Sequence, residues 1–184
     1  MTVAFIAVNI YLLFILVTGF LTAVNTVHPH TNDEEKEFSE LKDLGFDAKG
    51  YLPKVELNKF TCKSKFGYSI HCAYVLCKNS EKTVIISHGF EGNKYSCLPY
   101  VKMYLTLGYN CIIYDQRNHG DNKKTFTSLG YYESKDLETV FNKVKKVLPK
   151  QKVLGVHGIS MGAACASLAA GGQSAAVQSG TAVD

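Results

Sequence analysis

Three short apolar runs constrain this chain more than any other feature: Thr83–Ser87 (TVIIS), Asn110–Tyr114 (NCIIY) and Lys152–Val156 (KVLGV). A strand with one wet face alternates apolar and polar residues. These runs do not, so they read as strands buried on both faces, as in a parallel sheet covered by helices. The segments between them read as helices. Leu98–Leu107 is one, closed by Gly108. Lys135–Leu148 is the other, with Leu137, Val140, Phe141, Val144, Val147 and Leu148 on one face and Pro149 after its end. Ahead of them, Lys54–Cys62 and Tyr68–Cys77 alternate apolar and polar residues around Lys65-Phe66-Gly67, the pattern of a half-buried hairpin. The alternation of strands and helices predicts an α/β domain with right-handed crossovers.

Gly158-Ile159-Ser160-Met161-Gly162 is a G-x-S-x-G motif. It follows the third buried run and opens an Ala-rich stretch, Ala163–Ala170, read as a helix. A sharp strand-to-helix turn holds the serine in a strained conformation and needs glycine on either side, where a side chain would clash. The turn lifts the hydroxyl above the sheet, and the helix N-terminus favours developing negative charge. His88-Gly89-Phe90 follows the first buried run directly. In such an architecture that loop supplies one oxyanion-hole amide and the residue after the serine supplies the other. The candidate nucleophile is therefore Ser160, and the candidate donors are the amides of Phe90 and Met161. Gly89 allows close approach, and His88 reads as a structural hydrogen-bonding residue.

With these residues in view, the chain resembles an α/β-hydrolase. Tyr114-Asp115-Gln116-Arg117-Asn118-His119-Gly120 is similar to that family's D-x-R-G-H-G loop, with Asn118 in place of a glycine. Gly130-Tyr131-Tyr132-Glu133 leading into Asp136-Leu137 resembles the membrane-tethered bacterial-type branch, whose descriptions run to esterase, lysophospholipase-like and serine aminopeptidase-like. The resemblance covers roughly residues 54–172. It implies a partial α/β-hydrolase fold with the elbow strand beside the Thr83–Ser87 strand. It also implies structural, loop-holding roles for Asp115, Arg117, His119 and Gly120, alongside the elbow glycines Gly158 and Gly162. Phe90, Tyr95 and Tyr131 are candidates to line an acyl site, with plain packing as the competing reading.

The family's triad runs Ser, then Asp or Glu, then His in chain order. No histidine follows Ser160 here, and Asp184 is the only later carboxylate. The tail Gly171–Asp184 (GGQSAAVQSGTAVD) has no aromatic, Leu or Ile, and only Ala175–Val177 matches an expected strand faintly. The expectation is a truncated chain, with its nucleophile strand near an open edge, marginally stable and nearly inert. Two functions follow: a serine hydrolase acting on an ester or amide carbonyl, or a non-catalytic membrane-anchored module.

The N-terminus is a separate matter. Val3–Val24 carries no Asp, Glu, Lys or Arg over 22 residues. At about 1.5 Å per residue it reaches ~33 Å, enough to cross the hydrocarbon core. A signal peptide is the competing reading, but its apolar region is shorter and its start basic. The expected organisation is an anchor over 1–27, a juxtamembrane spacer over 28–53, with Glu34–Leu44 as a short helix, and the hydrolase portion over 54–184. The protein is expected at a membrane, single-pass, and Lys36 and Lys42 lean only weakly towards a cytoplasmic domain.

The composition of the whole chain, 46% hydrophobic and 20% charged, excludes a disordered polypeptide. Nineteen lysines and one arginine alternate with sixteen acids, which reads as a solvated surface with no nucleic-acid partner. The six cysteines form no C-x-x-C pair and read as small buried thiols, though the even count leaves disulfides open if the domain is exported. No metal and no cofactor is expected: there is no phosphate loop and no dinucleotide fingerprint. The expected substrate is a small-molecule or lipid-like ester or a short peptide.

Overall fold

The computed structural model describes residues 2–148 and 150–172. Five strands, β1 (Asn58–Lys63), β2 (Ser69–Val75), β3 (Lys82–Ser87), β4 (Asn110–Tyr114) and β5 (Val153–Gly158), make one sheet in the order β1-β2-β4-β3-β5. The hairpin β1–β2 is antiparallel and joins β4 antiparallel, with Cys72 opposite Tyr114. β3 lies parallel to both β4 and β5. The first strand starts at Asn58, later than its alternation suggested, because Leu52–Lys54 takes up a 3-10 turn around Pro53.

Six α-helices accompany the sheet: α1 (Thr2–Val27), α2 (Glu34–Asp43), α3 (Ala48–Tyr51), α4 (Leu98–Thr106), α5 (Tyr131–Val147) and α6 (Met161–Gly172). All but α1 sort onto its two faces. Val84, Ile86, Cys111 and Ile113 point into one core with Leu98 and Val101 of α4 and Phe38 and Leu41 of α2. Ile85, Ile112 and Tyr114 point the other way, onto Leu137, Val140 and Val144 of α5 and Met161, Cys165 and Ala169 of α6. Successive strand residues thus enter different cores, which is why the runs read as continuously apolar. The crossovers β3-α4-β4 and β4-α5-β5 travel in opposite directions along the sheet. Their helices fall on opposite faces, as one shared handedness requires.

α5 begins four residues before the predicted Lys135. The buried Glu133 carboxylate accepts from the amides of Ser128 and Gly130, satisfying the loop that enters the helix. Leu137, Val140 and Val144 of its apolar stripe are buried, whereas Val147 is 51% exposed.

The stretch 28–53, expected as a spacer, packs into the domain instead. Asp33 caps α2 through the Lys36 amide, and Phe38 meets Tyr95 edge-on at 5.4 Å between ring centroids. Ala48 enters the same core. Two apolar residues sufficed to dock this helix because a buried partner aromatic waited on the far side. Leu44 stays outside, since Gly45 at φ +83° has already ended the helix.

α1 is long and apolar enough to cross a membrane over Ala4–Val27, and none of it is buried against the domain. Among the described residues β5 pairs with β3 alone, so the elbow strand stands at the sheet edge. The tail beyond Gly172, with the faint match at Ala175–Val177 and the carboxylate of Asp184, lies outside the described residues, as does Pro149. The six cysteines are free thiols, five of them buried.

The two faces of α5 give a direct test of the packing. Leu137→Ala, at a fully buried site, is expected to cost about 2–5 kcal/mol. Val147→Ala is expected to stay within about 0.5 kcal/mol. Thermal unfolding of the detergent-solubilised chain measures both.

Candidate active site

The parallel register fixes where the loops emerge. Ser87 of β3 lies level with Tyr114 of β4 and Gly158 of β5. The loops beginning at His88, Asp115 and Ile159 therefore leave the sheet together at one end. β3 continues towards α4 on one face and β5 into α6 on the other. Neighbouring strands that part in this way open a crevice at their carboxyl ends, where ligands bind in open α/β sheets. His88-Gly89-Phe90 and Ser160 lie at that end of the sheet.

The elbow is held by backbone. The Ile159 amide donates to Ser87 O at 3.0 Å, joining the turn to the end of β3. Ser160 sits at φ +51°, exposed to solvent. That left-handed conformation costs a non-glycine residue roughly 1–3 kcal/mol. The motif glycines show what holds it. A Cβ on Gly162 would collide with the carbonyls of Ser87 and His88, and one on Gly158 with the backbone of Gly162 and Ala163. A Cβ on Gly89 would stand 3.6 Å from Ser160 Cβ, so the loop and the turn are in contact. Met161 is the first residue of α6, and Phe90 lies on the facing loop. Neither amide donates a hydrogen bond among the described residues. No described side chain hydrogen-bonds the Ser160 hydroxyl.

The nearby histidines are engaged elsewhere. His88 is fully buried. Its Nε2 accepts from the Gln116 amide at 2.9 Å, so its protonated Nδ1 donates to Gly89 O at 2.7 Å. Desolvation, then the nearby His119, push its pKa down to about 3, so the ring is neutral. His119 repeats the pattern: Nε2 accepts from the Glu91 amide and Nδ1 donates to Arg117 O, with burial lowering its pKa. The two rings lock the loop after β3 to the loop after β4. His157, half-buried on β5, meets Tyr104 Oη at 3.2 Å and stacks near Tyr100, on the α4 side.

Asp115 organises the neighbouring loop. It accepts from the Lys94 amide at 2.8 Å, from Lys94 Nζ at 2.7 Å and from the Asp121 amide at 3.1 Å. Gly120, at φ +52°, leaves the space that the carboxylate fills. Asn118, standing where the family has glycine, adopts φ +66°, a conformation asparagine tolerates, and its Oδ1 accepts from the Thr125 amide. Arg117 is buried among the rings of Phe66, Tyr68, Phe126 and Tyr132 and donates from Nε to Phe126 O. Asp136 accepts from Ser64 and Tyr68, tying α5 to the hairpin.

Lys94 and Gln116 were missed in the sequence. Lys94 reads as one more surface lysine, yet it is buried between Asp115 and Asp121. Burial works against its charge, but the two carboxylates outweigh this and hold its pKa above the usual range. Gln116 donates to His88 O and accepts from Cys165 of α6, linking two loops and a helix. The only available signal was position, two residues inside the loop after a buried strand. Of the aromatic candidates, Tyr95 belongs to the α4-side core, Phe90 packs edge-on against His119, and Tyr131 is exposed. Among the described residues no three His, Cys, Asp or Glu side chains are grouped to hold a metal.

A family model described as the alpha/beta hydrolase fold matches residues 82–184. The uncharacterized protein YqkD of Bacillus subtilis (strain 168) is 37% identical over 129 residues, covering 70% of this chain and 42% of that protein. The esterase Pf2001 of Pyrococcus furiosus superposes with a TM-score of 0.59 at 28% identity, over 70% of this chain and 47% of that one. The esterase EaEST of Exiguobacterium antarcticum, at 20% identity and a TM-score of 0.53, shares the fold over 63% of this chain and 41% of its own. The chain thus spans less than half the length of each.

Two measurements test the supporting network. Lys94→Met leaves the Asp115 carboxylate buried without its cation and is expected to cost about 3–5 kcal/mol, whereas the exposed Lys49→Met should cost under about 1 kcal/mol. Thermal unfolding separates them. Because His88 takes up its proton in the unfolded chain and not in the folded one, stability is lost as pH falls through the ordinary histidine range. From about pH 7 to about pH 5.5 the loss due to His88 alone is roughly 1 kcal/mol, and His119 adds to it. A stability that rises over that interval would contradict the neutral rings.

Proposed function

This chain belongs to the alpha/beta hydrolase fold family, and we propose that it carries the nucleophile half of a serine hydrolase acting on an ester or amide carbonyl. The reading rests on the exposed Ser160 held at φ +51° beside the His88–Phe90 loop. The Ser160 oxygen attacks the carbonyl carbon, and the displaced electron pair moves onto the carbonyl oxygen. The amides of Phe90 and Met161 are the donors for that oxyanion. Collapse expels the alcohol or amine, leaving an acyl group on Ser160, and water releases it as the carboxylic acid. Two fixed amides aimed at the developing charge are worth several kcal/mol, since loss of one such donor typically costs about 3 kcal/mol.

The attack also needs a base for the serine proton. The rings of His88 and His119 have both nitrogens committed to the loops they hold, and His157 faces Tyr104. The 184-residue chain by itself is therefore expected to be nearly inert. A non-catalytic role is the second reading, favoured by this same commitment of the rings. We further propose that α1 crosses a bilayer as the anchor of the domain, its length and apolar surface supporting this.

Chemical rescue tests the proposal. A fluorophosphonate adds to an activated serine, which displaces fluoride and gives up its proton. Exogenous imidazole supplies a base. Mass spectrometry should find an adduct on Ser160 that forms at least about ten-fold faster with imidazole than without, in line with the 10²–10⁴ that general bases supply. Ser160→Ala should give none at that position. A folded chain that never labels at Ser160, with or without imidazole, would establish the non-catalytic reading instead.

A further inference from the structure

The segment that leaves α1 does not hang free between helix and domain. The Thr127 amide donates to Val27 O, the last residue of α1, at 2.7 Å. His28 Nδ1 bonds Thr125 O at 2.8 Å, and Lys124 Nζ donates to Thr31 Oγ1 at 2.6 Å. The Asn32 amide donates to Glu91 O at 2.7 Å, and Asn93 Nδ2 to Asn32 O and Asp33 O. Every one of these partners lies on the loops after β3 and β4. The apolar helix is therefore fastened to the end of the sheet that carries Ser160, not to the opposite end.

This attachment brings a particular set of side chains to the root of α1. Phe126 and Leu129 are exposed on the same loop that binds Val27 and His28, Leu129 by 52%, and Tyr131, the first residue of α5, is exposed by 65%. Lys123 and Lys124 beside them are exposed cations. Apolar residues flanked by lysines are the composition that settles into a headgroup layer. The rim also reaches the elbow: a Cβ on Gly130 would stand 3.1 Å from Leu168 and 3.9 Å from Ala164, and Ala164 lies one helical turn beyond Ser160. α1 has 26 residues, about 39 Å by its rise, against a hydrocarbon core of ~30 Å, so its last turn can sit among the headgroups with Val27 at the surface.

We propose that the rim Phe126–Tyr131 docks on the bilayer that α1 enters, setting the exposed Ser160 elbow towards the lipid surface, so that the substrate is a membrane-resident acyl ester. The substrate part rests on acyl chemistry at Ser160; the docking part does not. A partner protein covering the same rim is the competing occupant. The bilayer is favoured because the rim is hydrogen-bonded to the very residue where the apolar helix ends.

The chain contains no tryptophan, so a single introduced one reports depth without background. Tyr131→Trp and, independently, Leu129→Trp report the rim. Val17→Trp reports the helix, and Lys78→Trp reports the opposite end of the sheet, in the exposed turn between β2 and β3. Each full chain is reconstituted in vesicles of phosphatidylcholine and phosphatidylglycerol, with or without phosphatidylcholine brominated near the top of its acyl chains. Bromine quenching should cut the Val17→Trp emission and both rim reporters by about two-fold or more and leave Lys78→Trp unchanged, as interfacial burial of 5–10 Å requires. Unquenched rim reporters with a quenched helix would overturn the proposal and leave the rim to a protein partner. An unquenched Val17→Trp, or equal quenching of Lys78→Trp, would overturn it too. The imidazole-rescued label gives the separate readout. An alkyl fluorophosphonate dissolved in the vesicles should label Ser160 faster than a soluble glycol-linked one, and equal rates would overturn the lipid-ester assignment. Rim quenching without any Ser160 label would leave the docking standing and remove the hydrolase.

Discussion

The site depends on a contact in which a side chain has no room. The first turn of α6 lies against the carbonyls of Ser87 and His88 so closely that Gly162 cannot carry a Cβ, and Gly158 is closed by that same turn. This approach brings the N-terminus of a helix to the end of the neighbouring strand. It leaves Ser160 the left-handed corner between them. The strain of that corner is small beside the α6 packing that imposes it, with Met161, Cys165 and Ala169 buried in the α5-side core.

A second layer keeps the facing loops in place, and it is made of groups that are costly to bury. Lys94 and Asp115 form an almost fully buried ion pair, with Asp121 closing it from the solvent side. Each charge is satisfied: the Asp115 carboxylate takes two backbone amides besides the ammonium. A pair like this adds little net stability over an apolar core, but breaking it is severe. Its effect is to fix geometry. The neutral rings of His88 and His119 do the same work without charge, each accepting one amide and donating to one carbonyl across two loops.

Legibility in the sequence followed how local each cause was. The buried strands were legible because alternate residues of β3 and β4 enter two cores, which leaves a direct trace in composition. The stripe of α5 was legible for the same reason, and so was the elbow, where sterics dictate glycine. Lys94 was not, because its partners lie 21 and 27 residues away and a lysine carries no mark of burial. α2 was legible as a helix but not as part of the domain, since its docking depends on Tyr95, far along the chain. His88 and His119 read as structural in the sequence, but residue type names none of their partners. Only the amides that reach their Nε2 atoms separate a loop clamp from a general base.

The attachment of α1 binds these observations together. A helix whose chain leaves it through a free spacer would let the domain face any direction. Here Val27, His28, Thr31 and Asn32 are all hydrogen-bonded to the loops that carry Glu91, Lys124, Thr125 and Thr127. Those loops are the ones stiffened by His119, Asp115 and Glu133. The residues that hold the elbow end of the sheet and those that fasten the helix therefore share the same loops, and under the proposed anchoring of α1 the bilayer would also orient Ser160. That coupling requires docked α2 as well: Glu37 accepts from Asn93, whose side chain in turn holds the carbonyls of Asn32 and Asp33. A segment that reads as a tether in composition thus acts as a strap in structure, because its polar backbone finds its partners on the loops of the site.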